Sequence, residues 1–248
     1  MKVVLATSEV TYVPGNYISL FEELLGAAGS HVAAVFILNN LSAGLVKQLL
    51  GLAAIGCNGT AGTLGKNILG LPFRKRERLF ERHSVPVFRA KSMNEDSVVS
   101  WVRENQVDLV LNLRTRCIYR KQILEAPRLG CVNVHHGLLP EYRGTLCDLY
   151  ALHEGRPAGF TVHQMNEKVD DGRILIRHVV SRPGEKNYID YLSRTGQEEG
   201  RVLSGFLNEV ANTGTLPEGN LNTCAKPRYT KNPDRSRISQ MRQAGMVL

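Results

Sequence analysis

The stretch Asn133–Gly144 reads NVHHGLLPEYRG and places an amide and an imidazole two residues apart at the end of an apolar strand. Alternate side chains of a strand point to the same face, so Asn133 and His135 are expected to face one cavity. Further along the chain, Lys168–Gly172 reads KVDDG and puts a carboxylate in a glycine-containing loop between two strand-like runs. The sequence therefore offers an amide, an imidazole and a carboxylate to one site.

Each of these residues also has a purely structural explanation when it is taken alone. Asn133 could cap the strand end, His135 could be a hydrogen-bonded core histidine, and Asp170 could begin a turn before Gly172. The joint occurrence of the three, with the LLPEYRG continuation between them, favours a functional site over these structural explanations.

The same residues carry a resemblance to a known family. The chain resembles the folate-dependent formyltransferases, which include glycinamide ribonucleotide, methionyl-tRNA and sugar N-formyltransferases. Their signature reads Asn-x-His-x-Ser-Leu-Leu-Pro-x-Tyr-Arg-Gly and is followed by a Val-or-Leu-Asp-x-Gly loop. The resemblance extends in pattern over residues 1–180, is strongest over 108–175, and departs from the signature at Gly137, where the family has Ser.

The resemblance implies a catalytic role for Asn133, His135 and Asp170, with 10-formyltetrahydrofolate as co-substrate and no metal ion. An amine that attacks a formyl carbon needs a hydrogen bond to the developing oxyanion, transfer of its proton, and a group that orients the imidazole. Asn133, His135 and Asp170 would supply these in that order. Asp171 is the alternative acid, but one residue separates Asp170 from Gly172, as in the signature. His136 is expected to point away from the site by strand alternation, or to lie in the following loop if the strand ends early.

Two loops are expected to bind the folate, since they align with the family's pterin-binding walls. The first wall is the turn at Arg116, Cys117, Ile118 and Tyr119, and the second comprises Val169, Asp171 and Gly172. Both walls would use backbone amides and carbonyls. Acceptor contacts are expected from Glu9 in the loop over residues 7–16, and from Tyr142 and Arg143, because open α/β sheets bind ligands at the carboxyl ends of their strands.

Hydrophobic periodicity predicts an α/β fold with a doubly wound, mostly parallel sheet. Strands are predicted over residues 2–6, 31–38, 85–89, 108–113, 130–135, 159–165 and 173–180. Helices are predicted over 17–28, 94–105, 120–125, 147–153 and 188–211, with two more in the leucine-rich and basic region 41–85. The first strand is not followed by Gly-x-Gly-x-x-Gly, which argues against a dinucleotide cofactor.

Composition limits the function classes. The five cysteines are odd in number and include no Cys-x-x-Cys pair, which argues against a disulfide framework and a structural zinc site. The N-terminal apolar run is too short for a signal peptide and no segment is long enough to span a bilayer, so a cytoplasmic location is expected. The formal net charge of +8 suggests an anionic partner such as a phosphate, although the basic run at residues 74–83 could equally be a solvated helix face.

These observations predict a catalytic domain over residues 1–185 and a C-terminal helix and basic arm over 186–248 that pack on it, with the tail after Pro217 as an extended arm. The predicted reaction is N-formylation of a primary amine, and the predicted acceptor is an amino sugar nucleotide or another small anionic amine. A methionyl-tRNA acceptor is disfavoured because few residues follow Tyr188, where that branch has a second domain, so no specific nucleic acid is expected. Hydrolysis of formyltetrahydrofolate, a methionyl-tRNA acceptor and a non-catalytic RNA-binding role stay as alternatives, and a homodimer is left open.

Overall fold

The computed structural model describes residues 1–248 and contains a central seven-stranded sheet. The strands, numbered along the chain, are β1 (Val3–Ser8), β2 (Val32–Leu38), β3 (Val87–Ala90), β4 (Leu109–Leu113), β5 (Cys131–His135), β6 (Tyr142–Gly144), β7 (Gly159–Gln164), β8 (Ile174–Val179) and β9 (Arg228–Thr230). The sheet order is β3-β2-β1-β4-β5-β7-β8, while β6 and β9 form a separate parallel pair.

The first five strands of this order are parallel, and β7 and β8 continue the sheet in antiparallel fashion. The predicted α/β class with a doubly wound, mostly parallel sheet is therefore confirmed. The order reverses between β1 and β4, and the carboxyl ends of β1, β4 and β5 meet at one edge. Open α/β sheets bind their ligands at such a point.

Nine helices accompany the strands: α1 (Ile18–Ala28), α2 (Ala43–Ala54), α3 (Asn58–Leu69), α4 (Lys75–Arg82), α5 (Asp96–Glu104), α6 (Lys121–Leu124), α7 (Cys147–His153), α8 (Tyr188–Thr213) and α9 (Arg235–Gln243). None of them combines the length and the apolar character needed to cross a membrane.

Alternation along the strands builds a core on each face of the sheet. Leu5 of β1 faces the larger core, which α1, α4 and α8 cover with residues such as Phe21, Phe80 and Leu207. Val4, the neighbour of Leu5, faces the opposite core beneath α5 and α6. The C-terminal half of α8 shares the larger core with the strands, whereas its first turns pack in a separate cluster with α7 and α9. The domain division at residue 185 stays a prediction.

Two predicted regions differ from the structure. Region 41–85 was predicted to hold two helices and contains three, α2, α3 and α4. In the basic run, Arg76 is buried rather than solvated: it donates to the carbonyls of Ser8, Glu9 and Asn16, at 3.0, 3.0 and 3.3 Å, and burial lowers its pKa to about 10. Arg76 therefore anchors the loop that follows β1.

The tail after Pro217 was predicted to be an extended arm, and this is wrong over much of its length. It contains β9, which pairs with the signature residues of β6, and α9, whose Ile238 and Met241 are buried. A three-residue strand and a nine-residue helix are too short to give a clear periodic signal.

The contact between α8 and α1 depends on a glycine. A Cβ at Gly200 would lie 2.4 Å from the carbonyl oxygen of Leu20, whereas a Cβ at Gly205 on the same helix would meet nothing within 4 Å. We therefore expect Gly200→Ala to force the helices apart and to lower the free energy of unfolding by about 1–3 kcal/mol. Gly205→Ala should raise it by about 0.5–1 kcal/mol, since alanine is favoured over glycine inside a helix.

Urea unfolding followed by circular dichroism measures both changes. Equal effects of the two substitutions would contradict the close approach of α8 to α1.

Candidate active site

The end of β5 places Asn133 and His135 on the same face of the sheet. Register sets their neighbours: Asn133 lies opposite Asn112 on β4 and opposite His163 on β7, while His135 lies opposite Thr161. All except Thr161 line a cavity of about 1120 Å³ at the carboxyl edge of the sheet. The predicted pairing of Asn133 with His135 in one cavity is what the structure has.

Hydrogen bonds determine how the Asn133 amide is oriented. His163 Nδ1 lies 2.7 Å from the carbonyl oxygen of Gln164, which can only accept, so Nδ1 carries the proton. Burial lowers the pKa of His163 to about 4, so the ring is neutral and its Nε2 accepts a hydrogen bond from Asn133 Nδ2 at 3.0 Å. Asn133 Oδ1 accepts from Asn112 Nδ2 at 2.9 Å. One N–H of Asn133 is left without a protein partner.

His135 is buried between two hydrogen-bond acceptors. Its Nε2 lies 3.0 Å from the Tyr142 carbonyl oxygen, to which it donates, and its Nδ1 lies 3.4 Å from Asp170 Oδ1. The same carboxylate oxygen is 3.7 Å from His163 Nε2. The structure thus brings all three residues predicted to be catalytic to one place, with His163 as a fourth member.

Asp170 is held in this position by its own backbone. Its φ of 53° is in the left-handed region, and its carbonyl oxygen accepts hydrogen bonds from Arg143 Nη1 at 2.6 Å and Asn222 Nδ2 at 3.0 Å. Arg143 also donates to Asn222 Oδ1 at 3.0 Å. Asp170 is 9% exposed, whereas the side chain of Asp171 is 41% exposed and lies 3.5 Å from Arg143.

The residues predicted to contact the acceptor do not have side chains in the cavity wall. Glu9 forms a 2.5 Å ion pair with Arg89, Tyr142 donates its hydroxyl to Glu154 at 2.7 Å, and Arg143 is used to hold Asp170. None of the three lines the cavity. Their side chains are engaged with Arg89, Glu154 and Asp170 outside the cavity wall, and their contact with an acceptor stays a prediction.

Most of the residues predicted to bind the folate line the cavity, but two do not. The cavity wall includes Arg116, Cys117, Ile118, Tyr119 and Val169 but not Asp171 or Gly172. Gly172 packs so closely on β7 that a Cβ there would lie 1.9 Å from the carbonyl oxygen of Gln164. Asp171 points to Arg143. These two residues shape the second loop without facing the cavity.

The glycine that replaces the signature serine also has a steric explanation. A Cβ at Gly137 would lie 2.7 Å from His135 Nε2 and 2.6 Å from the Cβ of Cys147. A serine would require movement of one of these two side chains, so Gly137 is adapted to the observed position of His135.

Sequence reasoning missed Asn112 and His163. Asn112 occupies the strand next to β5 at the same level, and His163 alternates with Thr161 on β7. A search for polar residues near the ends of neighbouring apolar strands could have found both.

A second polar cluster surrounds His136. Because β5 ends at His135, His136 lies in the loop that follows, which is the second of the two predicted alternatives, and it lines the same cavity. Its Nε2 contacts Glu199 Oε1 and lies 3.0 Å from the Tyr17 hydroxyl, while its Nδ1 is 3.4 Å from Asp148 Oδ2. Arg114 Nη2 lies 3.9 Å from the same Asp148 oxygen. Glu199 gave no signal in the sequence, because one acid in a long amphipathic helix usually faces solvent.

Comparison with known proteins agrees with this geometry. The "Formyl transferase" family model matches residues 65–206, more than half of the chain. The chain belongs to the formyltransferase family. The predicted family resemblance is confirmed.

Relatives in sequence are methionyl-tRNA formyltransferases. That of Kosmotoga olearia is 26% identical over 171 residues, which cover 67% of this chain and 54% of that protein. That of Ehrlichia ruminantium is 32% identical over 133 residues, or 53% of this chain and 44% of that protein. The chain spans about half the length of these relatives.

Solved structures of other formyltransferases share the fold. Phosphoribosylglycinamide formyltransferase from Anaplasma phagocytophilum superposes with a TM-score of 0.60 at 18% identity. The superposition covers 94% of this chain and 99% of that chain. A sugar N-formyltransferase from a Shewanella species superposes with a TM-score of 0.59 at 18% identity. This superposition covers 98% of this chain and 88% of that chain. At such identities the likeness shows the fold alone.

The two adjacent acids, Asp170 and Asp171, provide a matched pair of variants. Asp170→Asn removes the charge that faces His135 and His163, so we expect turnover to fall by about 100-fold or more. Asp171→Asn changes an exposed carboxylate outside the cavity and should leave turnover close to wild type. Steady-state rates of formyl transfer compare them, and a greater loss at Asp171 would show that the acid has been misassigned.

The burial of Glu199 leads us to expect that the free energy of unfolding depends on pH. Burial raises the pKa of its carboxyl from 4.5 to about 8, so the folded chain binds this proton more tightly than the unfolded chain does. The contribution of Glu199 to stability is therefore fully present below about pH 4.5 and is lost as the pH rises through about 8, at up to roughly 1.4 kcal/mol per pH unit. Glu199→Gln should lack this loss and gain stability relative to wild type as pH rises.

Urea unfolding at a series of pH values measures the difference. Glu209→Gln, on the exposed face of α8, is the matched control and should run parallel to wild type. A parallel course for Glu199→Gln would mean that Glu199 is ionised in the folded chain.

Proposed function

We propose that this chain transfers a formyl group from 10-formyltetrahydrofolate to a primary amine, with Asn133, His135 and Asp170 as its catalytic residues. The observation that carries the proposal is the Asn133 amide. Its oxygen and one N–H are engaged by Asn112 and His163, so a single N–H with a fixed orientation is available in the cavity.

The cavity fits a folate in two respects. Backbone N–H groups of residues 116–119 make no hydrogen bond within the chain, so they are free to bind the polar edge of a ring. Ile118 and Val169, from the two predicted walls, line the cavity and are 67% and 65% exposed, which suits an apolar ring face. When bound, 10-formyltetrahydrofolate supplies the formyl group.

The chain's own residues provide the remaining chemistry. Asn133 donates its free N–H to the oxygen on which negative charge develops, and this preorganised donor acts mainly on the transition state. His135 accepts at Nδ1 the proton that the attacking amine loses, because its Nε2 proton is donated to the Tyr142 carbonyl. Asp170 orients His135 and balances its charge, and Arg143 with Asn222 keeps Asp170 in place.

For the acceptor, we propose an amino sugar linked to a nucleotide, or another small anionic amine. The polar residues of the cavity wall, such as Asn112, Arg114 and Thr115, support a small polar acceptor. Methionyl-tRNA is the second candidate, and the names of the relatives in sequence favour it.

One assay separates these functions. The chain is incubated with 10-formyltetrahydrofolate and, in turn, amino sugar nucleotides, glycinamide ribonucleotide and charged initiator tRNA, and products are detected by the mass gain of one formyl group. Formylation of an amino sugar is the expected result. Formylation of the tRNA alone would overturn the proposed acceptor but not the proposed chemistry, and formate release without any formylated amine would indicate a hydrolase.

The catalytic assignment has its own prediction. Asn133→Ala should lower turnover by about 100- to 1000-fold while folate binding persists, since the lost N–H acts on the transition state. Asn212→Ala, the same chemical change at an exposed position of α8, is the control. Near-normal turnover of Asn133→Ala would refute the catalytic role of Asn133. A wild-type chain that binds RNA but transfers no formyl group would refute a formyltransferase site.

A further inference from the structure

A cluster of exposed apolar side chains lies in the leucine-rich region, outside the catalytic residues. Of the eleven large apolar side chains that are exposed in the chain, five belong to residues 41–73: Leu41, Val46, Leu50, Leu69 and Phe73. The exposed fraction reaches 64% at Leu50 and 75% at Leu69. Single exposed apolar residues are ordinary on a protein surface, but a cluster of them marks a surface that binds a partner.

Helix α2 is apolar on both of its faces. Its inner face contributes Leu45 and Leu52 to the wall of the cavity. Its outer face is exposed and consists of residues at helical spacing: Val46, Lys47, Leu50, Ala53 and Ala54. Lys47 is the only charged residue of the helix. A helix that is apolar all round is normally covered on every side, so the exposed face of α2 indicates a binding surface.

Helix α3 extends this surface. It packs beside α2, with Leu49 at 3.9 Å from the position that a Cβ at Gly65 would take. Its exposed Lys66 and Leu69 lie one turn apart, and Phe73 follows the helix. The name α2–α3 surface is used below for six exposed residues: Val46, Lys47, Leu50, Lys66, Leu69 and Phe73.

The charge of these two helices is of one sign. Residues 24–76 contain five lysines and arginines and no Asp or Glu. Lys47 and Lys66 are exposed and form no ion pair, whereas Arg74, after the surface, is paired with Glu81 at 3.2 Å. Exposed leucines beside unpaired cations are complementary to a partner that is both apolar and anionic.

This composition favours a lipid surface over two other occupants. A second copy of the chain would bring Lys47 and Lys66 against the same cations without an acid to pair them, because a two-fold contact joins a surface to itself. Nucleic acid is bound by aromatic rings that stack on its bases, and the α2–α3 surface has one such ring, Phe73. In an anionic membrane, leucines reach the acyl chains while lysines extend to the phosphate groups.

We propose that the α2–α3 surface binds reversibly to a membrane that contains anionic phospholipid. Leu50, Leu69 and Phe73 enter the boundary between head groups and acyl chains, and Lys47 and Lys66 contact the lipid phosphates. Because the inner face of α2 lines the cavity, the bound membrane adjoins the active site. This binding goes beyond formyl transfer and does not depend on it.

Flotation with vesicles tests the proposal. The full chain is mixed with vesicles of phosphatidylcholine alone, or of phosphatidylcholine and phosphatidylglycerol in equal parts, and the bound fraction is measured against lipid concentration. We expect the mixed vesicles to bind about 10-fold or more tightly than the neutral ones, because each lysine near an anionic surface adds to the affinity. This preference should weaken as the salt concentration rises.

Matched double variants separate the surface from the rest of the chain. Leu50→Ser with Leu69→Ser should weaken binding to mixed vesicles by about 10-fold or more, since the apolar area that enters the lipid is lost. Val179→Ser with Leu221→Ser, at residues 53% and 70% exposed in other parts of the chain, is the control and should bind as wild type does.

Lys47→Gln with Lys66→Gln should bind neutral and mixed vesicles nearly equally, because it removes the two cations of the surface. Circular dichroism establishes that each variant is folded. If the leucine variant does not fold, the lysine variant tests the proposal by itself.

Failure of the wild type to bind mixed vesicles would overturn the proposal, and so would unchanged binding by the leucine or the lysine variant. Wild type that binds bulk transfer RNA but no vesicles would assign the surface to nucleic acid. A dimer in analytical ultracentrifugation that only the leucine variant abolishes, without vesicle binding, would assign it to a second copy. Formyl transfer to a soluble amine is measured on the same samples, and its absence would refute the proposed function while leaving the vesicle result unchanged.

Discussion

A line of hydrogen bonds across three adjacent strands determines what the site can do. At one end the Thr115 amide donates to Asn112 Oδ1 at 3.2 Å, and at the other His163 Nδ1 donates to the Gln164 carbonyl at 2.7 Å. Because a backbone N–H can only donate and a carbonyl can only accept, the direction of every bond between them is fixed. Asn133, in the middle, must present an N–H rather than its oxygen to the cavity.

The site also contains strained backbone and buried charged groups, which lower the stability of the fold. Arg114, Leu146 and Asp170, all in the cavity wall, adopt left-handed backbone conformations without being glycine. Interactions from distant parts of the chain stabilise them, and for Asp170 these come from Arg143 and Asn222. Glu199 is fully buried in α8, where its carboxylate contacts the His136 imidazole. Such local costs are the kind that a binding or catalytic site accumulates, while the two apolar cores stabilise the fold.

Much of this could be predicted from the sequence, because the sheet follows apolar runs and Asn133, His135 and Asp170 sit in a local pattern of fixed spacing. The roles of Glu9, Tyr142 and Arg143 could not, because their partners Arg89, Glu154 and Asn222 are brought to them by the tertiary fold. The same holds for the cluster of His136, Asp148 and Glu199. Glu199 is more than fifty residues from the other two and reaches them only through the packing of α8.

The protonation of His163 tests the central claim most directly. In a ¹⁵N-labelled chain, nuclear magnetic resonance of the histidine side chains reports which ring nitrogen carries a proton. The account predicts a neutral His163 with the proton on Nδ1 and a bare Nε2, unchanged between about pH 6 and 8, since burial lowers its pKa to about 4. A proton on Nε2, or titration of His163 within that range, would turn the Asn133 oxygen toward His163 and contradict the proposed oxyanion donor.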